Sequence, residues 1–216
     1  WPPAKNDSST CSITSSCPTI SRRICSRIFV RPSRNCCTIS AARLWSILVA
    51  DGSIPAGNVV LTTTSASQRT NWESLFANAA GSSAGAGVVK PANQYAPETT
   101  HWVGQYAKKH PGAKLKAETW RENVAKARKE PKGLRCKDNA FYVSIVDEAH
   151  ALMNPELPGT AGPTGWPGAF GPQAFHVIRS SRASIFLMDG EQSFRDRETT
   201  TAGDIESWGK ELGATV

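Results

Sequence analysis

The sequence predicts an α/β fold in which parallel strands alternate with helices, and three observations lead to this prediction. From Gly57 onward, short apolar runs alternate with amphipathic stretches, as in proteins built on a parallel sheet. Two of these runs end in acidic residues, which parallel sheets place at their carboxyl edge. The 216 residues, 39% of them hydrophobic, suffice for one globular domain or one and a half, and contain no run of eighteen apolar residues. We therefore expect a soluble, cytoplasmic protein with no membrane partner.

The first part of the α/β region predicts a strand, a helix and a long irregular stretch. Residues 58–63 are rich in β-branched side chains behind a Pro-Ala-Gly turn, which is typical of a buried strand. A helix follows, with Ser65 or Ser67 as its N-cap. The glycine-rich residues 81–87 predict a flexible loop, and residues 88–116 an irregular or inserted region. The apolar face of the helix is expected to consist of Trp72, Leu75, Phe76 and Ala79.

The second part alternates more regularly. Glu122 and Lys126 lie four residues apart and favour an exposed helix with a solvated charged face. The last helix is expected to begin after Thr200 or Thr201 as its N-cap. The predicted elements are a helix over 118–129, a strand over 141–146, a Pro- and Gly-rich loop over 154–171, a helix over 172–181, a strand over 184–188 and a helix over 202–212.

The first fifty residues differ in composition from the rest of the chain. They carry +6 of the formal charge of +7 and five of the six cysteines, but no glycine. Irregular cysteine spacing and the distance to Cys136 disfavour a disulfide framework and a zinc site. A disordered basic tail, an out-of-frame start and a small DNA-binding protein that uses this basic segment stay open. We therefore separate an atypical Ser/Arg/Cys-rich segment, 1–50, from a domain, 51–216.

Acidic residues follow two of the predicted strands. Asp147 comes directly after the strand over 141–146, where P-loop nucleotidases hold a magnesium ion that bridges nucleotide phosphates. Glu148 could orient or deprotonate the attacking water. An Asp-Glu pair after a strand is also typical of a helix N-cap with a first-turn acid, and this alternative stays open. Asp189 and Gln192 at the second strand end favour phosphate chemistry, because a glutamine there could contact the γ-phosphate or its water.

Three stretches, taken as an ordered set, resemble motifs of superfamily 1 helicases. From Val143 to Val216 the chain more closely resembles the Schlafen-like DNA/RNA helicase domain of large bacterial ATPases, through its DEAH-type box, Gly171-Pro172-Gln173 and the helix end Arg179–Arg182. The resemblance covers about half of the chain. The stretches are 143–150 (VSIVDEAH), which resembles motif II or Walker B, 184–194 (SIFLMDGEQSF), which resembles motif III, and 58–69 (NVVLTTTSASQR), which is similar to motif Ia.

This resemblance implies the first lobe of a RecA-like P-loop NTPase, which binds ATP and Mg²⁺ and couples hydrolysis to work on DNA or RNA. It implies that Asp147 binds the metal and that Glu148 is the catalytic base. Gln192, with Asp189 beside it, would sense the γ-phosphate. His150 would couple the nucleotide site to motif III, or would simply form a hydrogen bond at the rim of the sheet. The implied contacts to the nucleic-acid backbone are Thr62, Thr63 and Thr64.

Two parts of a complete helicase, the phosphate-binding loop and the second lobe, have no recognisable counterpart in the sequence. The phosphate-binding loop should lie near residues 28–42, with Ile28 to Val30 as its strand, but residues 31–40 contain no glycine and no lysine. Such a loop needs glycines to close around phosphate and a lysine to reach it. A second RecA-like lobe is expected to be missing after Val216. We therefore expect an incomplete helicase or translocase lobe that hydrolyses ATP very slowly or not at all; the alternative is a catalytically inactive remnant or interaction module of the same fold.

Overall fold

The computed structural model describes residues 27–32, 58–80, 88–95, 108–109, 115–130, 132–156, 166, 168–188 and 200–216, with the backbone alone for 27–32 and 76–80. The strands of this part are β1 (Arg27–Pro32), β2 (Val59–Thr63), β3 (Val89–Pro91), β4 (Phe141–Val146) and β5 (Ser181–Met188). Its longer helices are α1 (Ala66–Ala80), α2 (Trp120–Lys129), α3 (Gln173–Ser180) and α4 (Ala202–Glu211). Short 3₁₀ turns cover Ala92–Tyr95, Ala117–Thr119, Ala149–Ala151 and Gly168–Phe170.

The strands form one sheet in the order β1-β5-β4-β2-β3, and all neighbouring strands are parallel. This arrangement, with helices beside it, confirms the predicted α/β class. β2 and β4 are neighbours at the middle of this order. The strand that follows β2 in the chain, β3, lies on the side of β2 away from β4, and the strand that follows β4, β5, lies on the side of β4 away from β2. The connections therefore leave the carboxyl ends of β2 and β4 in opposite directions, and ligands of α/β proteins bind in the crevice that such a divergence opens.

Each face of the sheet is covered by its own hydrophobic cluster. Successive strand residues point to opposite faces, so Leu61 of β2 and Ile145 of β4 lie together on one face, where α1 packs Trp72 against them. Phe186 of β5 lies on the other face, in a cluster that includes Trp208 of α4 and residues of α2 and α3. Helices on both faces leave the carboxyl edge of the sheet as the place where polar side chains converge.

The structure differs from the predicted elements in three places. β3 lies inside residues 88–116, which were predicted to be irregular, because a strand of three residues is too short for a periodic pattern to show. Leu75 is 49% exposed and does not belong to the buried face of α1, whereas Trp72 is buried; the side chains of Phe76 and Ala79 lie outside the described part. The helix predicted over 118–129 to be exposed has one buried side, formed by Trp120, Asn123, Val124 and Ala127.

The other predicted elements that fall on described residues are confirmed. β4 has the predicted bounds, and β5 begins three residues earlier than expected. The strand expected at Ile28 to Val30 is β1, which pairs with β5. The proposed loop over 81–87 and most of residues 1–50, including the expected position of a phosphate-binding loop after β1, lie outside the described residues.

Candidate functional site

Asp147 lies at the carboxyl edge of the sheet, where β4 ends beside β2. Its backbone N–H donates to the carbonyl oxygen of Thr62 at 3.1 Å, so the pairing of the two strands continues to the end of β4. The Asp147 side chain is fully buried. Its Oδ2 accepts a hydrogen bond from Nε2 of Gln68 at 2.9 Å. The Trp72 indole and the backbone N–H of Glu148 also interact with this carboxylate, so Asp147 is held by donors from α1 and from the loop after β4.

Burial dominates the electrostatics of this carboxylate. It raises the pKa of Asp147 above the ordinary value, because a charged carboxylate is less stable away from water. The nearby Trp72 indole and the Gln68 amide pull the pKa back in part, as does the backbone N–H of Glu148. A buried acid with a perturbed pKa at the edge of a parallel sheet is typical of functional sites.

Gln68 is a site residue that the sequence reasoning did not single out. Ser65 caps α1 by accepting a hydrogen bond from the Gln68 backbone N–H at 3.2 Å, which confirms Ser65 as one of the two expected caps. In this first turn, the Gln68 side chain points back to the loop after β2, where its Oε1 accepts from the Thr64 backbone N–H at 3.0 Å. Ser65 and Gln68 have the spacing of a capping box, a signal that could have drawn attention to this glutamine.

Glu148 and His150 form a second pair directly after Asp147. Glu148 has a left-handed backbone, with φ of 54° and ψ of 48°, which is uncommon for a residue other than glycine. Its Oε2 lies 3.2 Å from Nε2 of His150, a ring that is almost fully buried, while the Glu148 side chain is about one-third exposed. The backbone carbonyl of His150 also accepts from the Thr200 N–H at 3.3 Å, which ties the loop after β4 to the start of α4. The local rim hydrogen bond considered for His150 is thus present.

The three threonines predicted to contact nucleic acid differ in accessibility. Thr62 and Thr63 are fully buried, and the Thr62 hydroxyl lies 2.7 Å from the hydroxyl of Tyr95. Thr64 is half-buried and lines a cavity of about 460 Å³ at the carboxyl ends of β2 and β3. Of these three residues, Thr64 is the one that an external ligand can reach in this structure.

The cavity is polar, and its charged lining residues are basic. Arg69 at the start of α1 and Arg135 before β4 contribute positive charge, and among the described residues no acidic side chain belongs to the lining. Arg69 also forms an ion pair of 2.7 Å with Glu73 one turn along the helix, which reduces its net contribution. The remaining lining residues are Thr64, Ser65, Ala66, Pro91, Ala92, Asn93, Gln94, Ala151, Met153, Trp166 and Gln173.

Asp189 and Gln192 lie outside the described residues, so their predicted roles stay predictions. The strand that precedes them is β5, which lies between β1 and β4. The carboxyl end of β5 at Met188 therefore lies at the same edge of the sheet as the end of β4.

The site fits Mg²⁺ only as part of a complex with phosphate. Among the described side chains, no group of three His, Cys, Asp or Glu residues is arranged to hold a metal ion. Mg²⁺ in nucleotide sites usually takes one or two carboxylates, keeps several waters and is completed by phosphate oxygens. Asp147 places one carboxylate at this edge of the sheet, which matches the small share of protein ligands in such a site.

Comparison of the chain with models of known protein families, with curated proteins and with solved structures finds no match. In the part of the chain that the structure describes, no helix is long and apolar enough to cross a membrane.

Proposed function

We propose that this chain is the nucleotide-binding lobe of a superfamily 1 DNA/RNA helicase or translocase, in which ATP and Mg²⁺ at the Asp147 edge act together with nucleic acid. One observation carries the proposal: a buried carboxylate at the diverging ends of β2 and β4 is hydrogen-bonded to Gln68 of α1, which belongs to the stretch that resembles motif Ia. The sheet supports it as well, because β5, whose end resembles motif III, lies directly beside β4, whose end resembles motif II.

The roles proposed for the acidic residues follow from their surroundings. When bound, Mg²⁺ would neutralise phosphate charge and polarise the phosphoryl group under attack. Asp147 would hold the ion through its carboxylate, which lies at the end of β4. Glu148, the half-buried neighbour, accepts the proton of the attacking water once its carboxylate leaves His150. Gln192, beside Asp189, is the proposed γ-phosphate sensor.

Nucleic acid is proposed to bind at the cavity beside Thr64. A phosphate group there would meet the Thr64 and Ser65 end of α1, where the helix dipole favours negative charge. Arg69 and Arg135 add positive charge to the same cavity. These contacts position a backbone and carry no information on base sequence, so we expect little sequence preference.

A second candidate function is a catalytically inactive remnant or interaction module. It is favoured by residues 31–40, which contain neither the glycines nor the lysine that a phosphate-binding loop requires. Under this alternative, Asp147 and Gln68 hold the fold together at the sheet edge but bind no nucleotide. Both candidates predict little or no ATP hydrolysis by this chain, so nucleotide binding is what separates them.

The discriminating experiment is a titration of the chain with a fluorescent ATP analogue, with and without Mg²⁺. The helicase lobe predicts Mg²⁺-dependent binding that Asp147→Ala abolishes and that Glu118→Gln, which removes an exposed charge on the turn before α2, leaves unchanged. Binding that is absent, or that ignores both Mg²⁺ and Asp147, would favour the remnant. In a parallel nucleotidase assay, turnover that is lost in Asp147→Ala would contradict the expectation of a slow or inactive chain.

A further inference from the structure

We propose that Gln68 is a positioning residue that couples the Asp147 carboxylate to the Thr64–Ser65 rim of the cavity. The hydrogen-bonded connection through Gln68 is a property of this chain and needs no ligand. Its use to transmit a change from bound nucleotide to bound nucleic acid rests on the proposed function. Neither the composition of the sequence nor the resemblance to helicases assigns a role to this residue.

The Gln68 side chain uses both ends of its amide. Its Oε1 accepts from the backbone N–H of Thr64 at 3.0 Å and from the Thr64 hydroxyl at 3.3 Å. Its Nε2 donates to Oδ2 of Asp147 at 2.9 Å. The opposite amide orientation would set an N–H against the Thr64 N–H and an oxygen against the carboxylate, so the partners select one orientation. The Gln68 side chain thus connects the end of β2 with the end of β4, although Gln68 and Asp147 lie 79 positions apart in the sequence.

The two halves of this bridge depend on each other. The hydrogen bond to Asp147 is made to a fully buried carboxyl group, where no water competes for the acceptor and a hydrogen bond is stronger than in solvent. It fixes the carbonyl end of Gln68 over the Thr64 amide, next to two residues that line the cavity. A cation beside the carboxylate would draw charge away from the Gln68 bond, loosen the amide and so free the Thr64 N–H for another acceptor.

The link can be tested without any ligand, through hydrogen exchange of the Thr64 backbone amide measured by NMR. We expect this amide to exchange about tenfold faster in Asp147→Ala than in the parent chain, because Gln68 loses its anchor. Asp147→Asn retains an acceptor and should stay close to the parent. The Gln68 backbone amide, which Ser65 caps, serves as the internal control. Equal Thr64 exchange in Asp147→Ala and the parent would overturn the proposal.

A second variant guards against a failure of Asp147→Ala to fold. Gln68→Leu is similar in size but removes both the acceptor for the Thr64 N–H and the donor to Asp147. We expect it to increase Thr64 exchange by about the same factor, since the Thr64 amide loses its acceptor. An unchanged Thr64 amide in this variant would equally contradict the link.

The signalling step is tested by the affinity for a labelled single-stranded oligonucleotide, measured with and without a magnesium complex of a non-hydrolysable ATP analogue. We expect the two affinities to differ by about fivefold or more in the parent. The difference should vanish in Gln68→Ala and persist in Asn71→Ala, which removes an exposed amide from the same helix. A difference that survives in Gln68→Ala, or two equal affinities in the parent, would refute the coupling. If the parent binds neither ligand, the proposed function fails, and the exchange experiment still decides the link.

Discussion

His176 provides the most quantitative prediction, because its ring is fully buried in α3. Its Nε2 lies 2.7 Å from the carbonyl oxygen of Phe170, and since a carbonyl only accepts, this nitrogen carries the proton of the neutral ring. Its Nδ1 then accepts from the Arg179 guanidinium at 3.4 Å. Burial, together with the positive charges of Arg179 and Arg128, lowers the pKa of His176 from 6.5 to about 3.

The sign and size of the stability effect follow from this shift. Between pH 6.5 and pH 3 the unfolded chain binds a proton at His176 that the folded chain does not, so acid destabilises the fold. Each pH unit in this window costs about 1.4 kcal/mol, which amounts to about 3 kcal/mol at pH 4. A loss of that size is a large part of the roughly 5–15 kcal/mol by which a domain is stable.

The assay is urea unfolding at pH 7, 6, 5 and 4, with the parent compared with His176→Gln, which is neutral throughout. Groups that titrate identically in the two proteins cancel in the comparison. We expect the stability of the parent relative to the variant to fall by about 1.4 kcal/mol per pH unit below pH 6. A difference that stays constant from pH 7 to pH 4 would refute the reasoning.

Three further predictions concern stability and the site. Gly171→Ala should cost about 3 kcal/mol or more in urea unfolding, because φ is +79° and an added Cβ would clash with the Trp120 ring; a loss below about 1 kcal/mol would contradict this close approach. Asp147→Asn should raise the free energy of unfolding at pH 7 while weakening Mg²⁺-dependent nucleotide binding, because burial raises the pKa of this acid and so disfavours its charged form; lower stability at pH 7 would count against it. Glu156→Ala should lower the melting temperature more than Glu118→Ala does, because Glu156 accepts hydrogen bonds from two indoles and a guanidinium; equal thermal shifts would show that these bonds contribute little.

Local signals were strong enough to place most elements. The α4 helix begins at the expected Thr201, whose hydroxyl accepts from the Asp204 N–H while the Asp204 carboxylate accepts from the Thr201 N–H. β4 could be predicted with its bounds because its apolar run is continuous and stops at an acid. In both cases the deciding interactions lie within a few residues, and such interactions leave a pattern that a single sequence shows.

The pairings of the site could not be predicted in the same way. Gln68 and Asp147 meet because β2 and β4 are neighbours in the sheet, although β3 and α2 separate them along the chain. The burial of Thr62 and Thr63 likewise depends on which residues pack over the carboxyl end of β2. It does not follow from the β-branched side chains of the two threonines. The resemblance to motif Ia therefore suggested three nucleic-acid contacts where the fold leaves one accessible.

The sequence by itself determined the α/β class, most element positions and the acid at the end of β4, because periodicity, caps and strand ends are local properties. The tertiary structure alone decided which strand ends adjoin, that Gln68 binds Asp147 and that His176 is buried beside Arg179. The physical reason is the same in each case. Strand order and desolvation arise from contacts between distant parts of the chain, and their energies depend on which groups are brought together away from water.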